Sequence, residues 1–432
     1  MRVIADLHIH SKYSRATSPT MDLEYLNWWG QIKGITVLGT GDFTHPLWFK
    51  ELKEKLESAE AGLFVIKDKY LGVDNDFSWH TNRRPDKLRF MLTAEISCIY
   101  SKNNRTRKVH ILIFAPDFQT VEKINARLNR IGNLKSDGRP IIGMDAKELA
   151  KIVLEANLQC LIVPAHVWTP WFSIFGSKSG FDSIEECFDE YSKYIYAVET
   201  GLSSDPSMNW RLSQLDKVVL LSNSDCHSPS KIGREANVFE IEENNLSYNE
   251  IARIIKEKDK NKFLYTVEFF PEEGKYHHDG HRKCSISFSP AETIKHKGLC
   301  PVCHKPLTKG VMYRVDELAD RPIDFRSDKF IPFKSLIPLE EIIADVLGVG
   351  VGTKTVNQYY RNLINSLDSE FNILLDSSVD DIRRVSTADI SLGIESVRSG
   401  QVKIEPGYDG EYGRIKILSN IKKTRRGQID LF

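Results

Sequence analysis

Two histidines, His8 and His10, close a short apolar run over residues 3–10 near the start of the chain. In an extended strand residues i and i+2 point to one face, so both imidazoles can reach a single point. A metal ion is the commonest reason to bring two imidazoles together. Comparable residues follow other β-rich runs. Asp42 and His45 follow residues 35–39, Glu95 closes 90–95, and His110 heads 109–114. His166 follows 160–164, Glu199 ends 196–199, and Asp225 and His227 follow 218–222. Singly each is an ordinary polar loop residue. Together they outnumber the ligands of one ion, and carboxylates mixed with imidazoles suit Zn, Mn or Fe. Asp6 shares a strand face with His8. It is either the orienting partner of a ligand imidazole or a structural hydrogen-bonding group.

A second cluster lies further on. His281 and Cys284 precede Cys300 and Cys303, with fifteen residues between the two middle cysteines. H-x-x-C matched to C-x-x-C is the spacing of a structural zinc site. His278 is the substitute for His281, and a redox dithiol is the rival reading. The other cysteines, Cys98, Cys160, Cys187 and Cys226, are scattered singly and read as buried small apolar residues.

These side chains need elements to hold them. Through residue 265, the β-rich runs alternate with helical candidates at 51–60, 121–131, 146–156 and 182–194. Strands alternating with helices argue for a (β/α) barrel, whose sites lie at the C-terminal ends of its strands. The fold class expected is α/β: a barrel over 1–265, a small zinc-binding module over 266–312, a mainly helical region over 313–420, and a basic tail over 421–432. At 432 residues with 27% charged residues the chain suits a multidomain globular protein. It has no apolar run of about eighteen residues, so no membrane partner is expected, and with no signal-like start a cytoplasmic, nucleoid-associated location is expected. Net charge is zero, so any nucleic-acid-binding surface must be local.

The set His8, His10, Asp42, His45, Glu95, His110, His166, Asp225 and His227 resembles the PHP (polymerase and histidinol phosphatase) superfamily. The resemblance implies a distorted seven-stranded (β/α) barrel that holds two or three divalent ions (Zn, Mn or Mg) and hydrolyses phosphoesters. It implies one ion on His8, His10, Glu95 and Asp225, a second on Glu95, His110 and His166, and a third on His227 with Asp42 or His45. Asp225, His227 and Glu95 would be the catalytic groups. The sequence departs from the family pattern where Asp42 and His45 are separated, and where Tyr13, Ser14 and Arg15 stand in place of a further histidine.

Segments around this set suggest the substrate. Residues 167–181 follow His166 directly and border a Gly176-Ser177-Lys178-Ser179 turn with Trp168, Phe172 and Phe175. Backbone N–H groups and a lysine in such a turn can cradle phosphate, and aromatic rings can stack on an unpaired base; packing is the alternative. Tyr13 and Ser203 are further candidates to contact substrate. A basic loop at 102–108 would touch a nucleic-acid backbone. Residues 272–310 carry seven Lys/Arg against four Asp/Glu, a local positive excess of three. Gly348–Gly352 with Lys354 between two helical stretches is somewhat like a helix-hairpin-helix. The tail ends Gln428-Ile-Asp-Leu431-Phe432 and looks like a sliding-clamp-binding peptide of the bacterial type.

Within the PHP superfamily the combination is similar to the endonuclease Q family over essentially the full length. That likeness implies nicking of DNA 5′ of deaminated bases (uracil, hypoxanthine, xanthine) or abasic sites, with DNA and the sliding clamp as partners. A histidinol-phosphate-type phosphatase and a non-catalytic DNA-binding scaffold are the rivals. The first leaves the zinc module and tail without use, and the second predicts missing ligands.

Overall fold

A computed structural model describes residues 1–71 and 88–417. The tail with Gln428, Leu431 and Phe432 lies outside the described residues. The chain divides into one unit of Met1–Leu336 with Glu405–Arg414, and a second of Ile337–Ile404 with Ile415–Phe432.

The first unit is built on β1 (Arg2–Asp6), β2 (Val37–Gly39), β3 (Arg89–Lys102), β4 (Arg105–Ala115), β5 (Leu161–Pro164), β6 (Ala197–Glu199), β7 (Val219–Leu221), β8 (Ala236–Glu240) and β9 (Phe263–Glu268). Strands β1, β2 and β3 pair in parallel, as do β6 and β7. Two contacts outside the ladders continue the ring. Val167 N–H donates to the Glu199 carbonyl at 3.0 Å, and His10 N–H donates to the Cys226 carbonyl at 3.1 Å. The seven strands expected from the sequence are therefore those that form the barrel, in the expected order.

The distortion has an identifiable cause. Strands β3 and β4 form one long antiparallel hairpin, and β4 is also antiparallel to β5. The turn is Asn103-Asn104, with φ of 53° and 57°, as a two-residue turn matched to strand twist requires. The basic loop expected over 102–108 is thus mostly strand: Lys102 ends β3, and Arg105, Arg107 and Lys108 lie on β4. Strand β8 runs antiparallel to β1, and β9 antiparallel to β8.

Helices α1 (Leu23–Lys33), α2 (Pro46–Lys55), α3 (Phe118–Leu128), α4 (Ala146–Ala156) and α5 (Tyr248–Glu257) accompany these strands. Asp22, Asp117, Asp145 and Ser247 cap four of them by accepting a first-turn N–H. The helix expected over 51–60 begins earlier because Pro46 presets the first helical residue. The helix expected over 182–194 is split into Ile184–Phe188 and a 3-10 turn, with Asp189 at φ 46° between them. Along β1 and just beyond, Val3, Ala5 and Leu7 join the main apolar cluster. Asp6, His8 and His10 alternate with them and are also buried. Each buried Val or Leu contributes about 1.5–3 kcal/mol, and this anchors the register that aims the histidines.

Asp279–His281 and Ile286–Phe288 form a small antiparallel hairpin, followed by the helix Pro290–Lys295 under a Ser289/Glu292 capping box. Residues 405–414 return to this hairpin. His278 N–H donates to the Gly407 carbonyl at 2.9 Å. Asp409 accepts from Arg282 N–H at 2.7 Å and from Thr308 Oγ1 at 2.6 Å.

The second unit contains α6 (Leu339–Leu347), α7 (Lys354–Leu367), α8 (Glu370–Leu375), α9 (Val379–Val385) and α10 (Ala388–Arg398). Glu370 ties it together, accepting from Leu339 N–H at 3.0 Å and Tyr360 Oη at 2.6 Å. Helix α6 ends on Gly348 at φ 67°, and Thr353 caps α7. No helix among the described residues is long and apolar enough to cross a membrane.

Candidate metal centres

Among the described residues four groups bring possible ligand atoms within 4.8 Å of one another: His8/His10/Glu95, His10/Asp225/His227, Glu95/His110/His166, and His281/Cys284/Cys300/Cys303. The first three share members and make one cluster at the C-terminal side of the barrel strands, buried except at Asp225 and His227. Glu95 joins two of them. Its Oε2 lies 3.2 Å from His10 Nε2, and its Oε1 lies 2.7 Å from His110 Nδ1 and 3.1 Å from His166 Nε2. Asp225 Oδ1 lies 3.1 Å from His10 Nε2 and 3.5 Å from His8 Nε2.

These atoms are close without being satisfied. His8 Nε2, His10 Nε2 and Asp225 Oδ1 are buried with no hydrogen-bond partner, a costly arrangement for polar atoms. Ligand atoms about 2.0–2.1 Å from one ion stand about 3.3 Å apart at tetrahedral angles. The spacings observed match that, so the residues fit divalent ions.

Buried carboxylates hold the imidazoles. Glu199 faces His8 Nδ1 at 3.1 and 3.0 Å, and Asp42 Oδ1 faces His10 Nδ1 at 3.0 Å. Asp42 Oδ2 is occupied by Ser11 N–H, Ser11 Oγ and Ser14 Oγ at 2.6, 2.6 and 2.8 Å. It lies outside the four ligand groups, and so does His45, whose ring stacks on Tyr13 at 4.4 Å. Asp6 turns elsewhere, accepting from Ser224 N–H and Gly233 N–H at 3.0 and 2.9 Å. The role sketched for it falls to Glu199. Burial raises Asp6 to about 6. Burial would also raise Glu95, but His110, Arg139 and His8 around it hold the carboxyl well below its usual range. Burial pulls His110 down to about 4 despite Glu95 beside it.

The backbone here is strained. Asp42, His166 and Asp225 have φ of 49°, 31° and 45°, and such outliers collect at functional sites. Close approaches fix them. A Cβ on Gly138 would stand 2.2 Å from Asp42 Oδ2, and one on Gly201 would stand 2.5 Å from His166 Cβ.

Arg139 was not singled out by motif or spacing. Its Nη1 donates to Glu95 Oε2 at 3.1 Å. It reaches the cluster because Gly138 N–H donates to the Tyr13 carbonyl and Ser97 N–H to the Pro140 carbonyl. Glu199 was visible as a strand end, but its partner was not.

The aromatic loop separates into two sets. Trp168 and Phe175 are buried against each other at 5.0 Å, with the indole N–H on Asn209 Oδ1 at 2.8 Å. Ser179 is buried, its Oγ donating to the Lys108 carbonyl, and Gly176 is packed too tightly for a Cβ. These four build the loop. Ser177 and Lys178 are exposed, and Phe172 lies 4.7 Å from the His110 ring. Tyr13 is half-buried and donates to Glu51 Oε1 at 2.5 Å. Ser203 is half-buried on the loop after β6. Lys354 is exposed at the start of α7 in the second unit.

In the fourth group His281, and not His278, completes the set, with Nδ1 3.5 Å from Cys303 Sγ. Burial would raise Cys300, but the backbone N–H groups of Cys303 and Val302, together with the Cys303 and Cys284 side chains, bring it down to about 7. An inward turn of N–H groups favours thiolate and so favours a metal.

Comparison with known proteins follows the same division. The MJ0043 C-terminal domain model matches residues 338–401, within the helical unit. Protein MJ0043 of Methanocaldococcus jannaschii is 34% identical over 267 residues, which span 61% of this chain and 33% of that relative. YqxK of Bacillus subtilis is 30% identical over 429 residues, covering 96% of this chain and 99% of that one. The crystal structure of the lesion-specific endonuclease Q of Pyrococcus furiosus superposes with a TM-score of 0.83 at 30% identity, covering 96% of each chain. Endonuclease Q bound to a 27-mer duplex with an abasic lesion at its active site superposes at 0.81 and 30% identity, covering 100% of this chain and 99% of that one. Barrel and ligand cluster together define a metal-dependent phosphodiesterase. The chain belongs to the endonuclease Q family.

Proposed function

We propose that this protein is a DNA repair endonuclease that nicks the phosphodiester 5′ of deaminated bases (uracil, hypoxanthine, xanthine) and of abasic sites. The observation that carries the reading is the Glu95 carboxylate, shared between two ligand groups. A group shared in this way suits two adjacent ions. His8, His10, Glu95 and Asp225 would hold one divalent ion, Glu95, His110 and His166 a second, and His227 would help to hold a third. Zn, Mn or Mg bound there acidifies a water and neutralises phosphate charge.

The protein's own groups do the rest. Asp225 and His227 stand at the mouth, where His227 Nδ1 lies 3.0 Å from the Asp225 carbonyl. Donation to that carbonyl would leave Nε2 unprotonated, the form in which it could hold the third ion. Burial and the nearby His10 lower the His227 pKa, which keeps the ring in the neutral form that a metal ligand needs. Arg139 presents a guanidinium beside Glu95, where its remaining N–H groups can hold a phosphate oxygen. Phe172, Lys178, Ser177 and Tyr13 are the residues proposed to line the substrate side. The flipped lesion would enter between residues 168–181 and the ions, at lower cost where pairing is already weak.

We assign a structural zinc to His281, Cys284, Cys300 and Cys303, and DNA contact to the basic module around it. The tail peptide Gln428, Leu431 and Phe432 would dock on the replication sliding clamp. Its deletion should abolish clamp binding and leave nicking intact.

The test is nicking of matched oligonucleotides carrying uracil, hypoxanthine, an abasic analogue or normal bases, with Mg or Mn, or with chelator. Lesion strands should be cut and normal strands spared, and chelator should stop cutting. Equal cutting of undamaged duplex would overturn the lesion-specific reading.

A further inference from the structure

Trp171 belongs to none of the ligand groups, yet it is fastened to them. His166 Nδ1 lies 3.1 Å from Thr169 Oγ1, and that hydroxyl donates to the Trp171 carbonyl at 2.8 Å. The next residue is tied to a second ligand: His110 N–H donates to the Phe172 carbonyl at 3.0 Å. Phe172 has φ of 63°, rare for a bulky side chain and sustained only where surroundings impose it. Two histidines of the metal cluster therefore fix the path of the chain at Trp171–Phe172.

What that path presents is an indole 50% exposed. Trp168, three residues earlier, is buried, so the loop does not need Trp171 for its core. The ammonium of Lys108 stands 5.0 Å from the Trp171 ring centre and 5.4 Å from that of Phe172. A flat apolar ring, rigidly placed and with a cation over one side, matches a base pair beside a phosphate backbone.

We propose that Trp171 is a wedge that fills the stack of duplex DNA when the target nucleotide leaves it, packing on the flanking base pair while Lys108 meets the backbone. The proposal rests on the DNA-nicking function above. Extruding a nucleotide from a duplex forfeits its stacking, and an inserted side chain offsets part of that loss. Single-stranded substrate has no stack to fill, so the benefit of the wedge is confined to duplex.

The experiment compares kcat/KM on one abasic-site strand, alone and annealed, for wild type, Trp171→Ala and Trp171→Phe. The ratio of duplex to single-strand activity should fall roughly tenfold or more for Trp171→Ala, as expected for loss of one base–aromatic stack, and much less for Trp171→Phe. A 2-aminopurine in the base pair flanking the lesion should be dimmer in the saturated wild-type complex, in the presence of Ca, than in the saturated Trp171→Ala complex. An unchanged ratio, or equal fluorescence in the two saturated complexes, would overturn the wedge. Failure of wild type to cut lesion DNA would instead overturn the proposed function, and the fluorescence measurement separates the two because it needs no cutting.

Discussion

Glu199 faces the Nδ1 of His8 with both carboxylate oxygens, at 3.1 and 3.0 Å, from a different strand of the barrel. The same carboxylate accepts from His166 N–H and Asn223 Nδ2, both at 2.9 Å. It thereby fixes the His8 tautomer, leaves Nε2 aimed at Glu95 and Asp225, and sets the start of the loop that carries Trp171. Asp42 does the equivalent for His10.

Glu199→Gln should keep the fold and lose ion affinity. The neutral amide cannot stabilise the protonated Nδ1 in the same way, and loss of such outer partners costs about tenfold to a hundredfold. A Mn titration of nicking, or calorimetry with Mn, would show the shift; an unchanged midpoint would remove Glu199 from the site.

Asp225→Asn should cost more than an outer partner does, because Oδ1 is buried without a hydrogen-bond partner and lies beside both His8 Nε2 and His10 Nε2. Nicking should disappear while binding of lesion duplex, read by anisotropy, persists. Retained cutting would contradict the assignment.

Gly138→Ala is a small change with a large expected effect. The added Cβ would stand 2.2 Å from Asp42 Oδ2 and 2.3 Å from Ser14 Oγ. Displacing Asp42 releases His10, so activity should fall by tenfold or more while melting temperature changes little. Equal loss of both would point to general unfolding.

Glu268 supplies a pH test away from the ions. It is fully buried, taking Thr266 Oγ1 at 2.5 Å and Thr200 Oγ1 at 3.0 Å. Burial pushes its carboxyl up to about 8 from an ordinary value of 4.5, and burial with Glu268 nearby raises Glu235 too. An acid raised in the fold binds its proton more tightly there than in the unfolded chain. Its contribution is therefore fully present below about 4.5 and is lost as pH rises through about 8. Glu268→Gln should melt a few degrees above wild type at pH 8, with the gap closing by pH 5. A gap independent of pH would reject the linkage.

Cys300→Ser should lower bound zinc by about one ion per chain without abolishing the Mn dependence of nicking. Loss of all metal response would join the two sites.

Much of the metal cluster was legible because a (β/α) barrel delivers side chains at strand ends, and strand ends are marked by where apolar runs stop. Strand direction was not. The hairpin of β3 and β4 carries Glu95 and His110 as diagonal neighbours whose side chains meet, yet apolar periodicity is blind to whether neighbours run parallel or antiparallel. Only the Asn103-Asn104 pair signalled the turn. The division of the aromatics was hidden as well, since Trp168 and Trp171 have the same composition around them and differ in which way a strained turn points. Arg139 left no mark in spacing, because its place depends on two backbone hydrogen bonds from distant segments.

The return of residues 405–414 to the metal-binding module sets an order of events during synthesis. Arg282 N–H waits for Asp409, made 127 residues later, and Thr308 waits 101 residues for the same side chain. As the chain leaves the ribosome the barrel can close and the helices of Ile337–Ile404 can form before this module has its last pieces. Truncation ahead of Tyr408 therefore strips the module as well as the tail. An internal deletion of Ile337–Ile404 that rejoins the chain at Glu405 keeps Asp409 for the module.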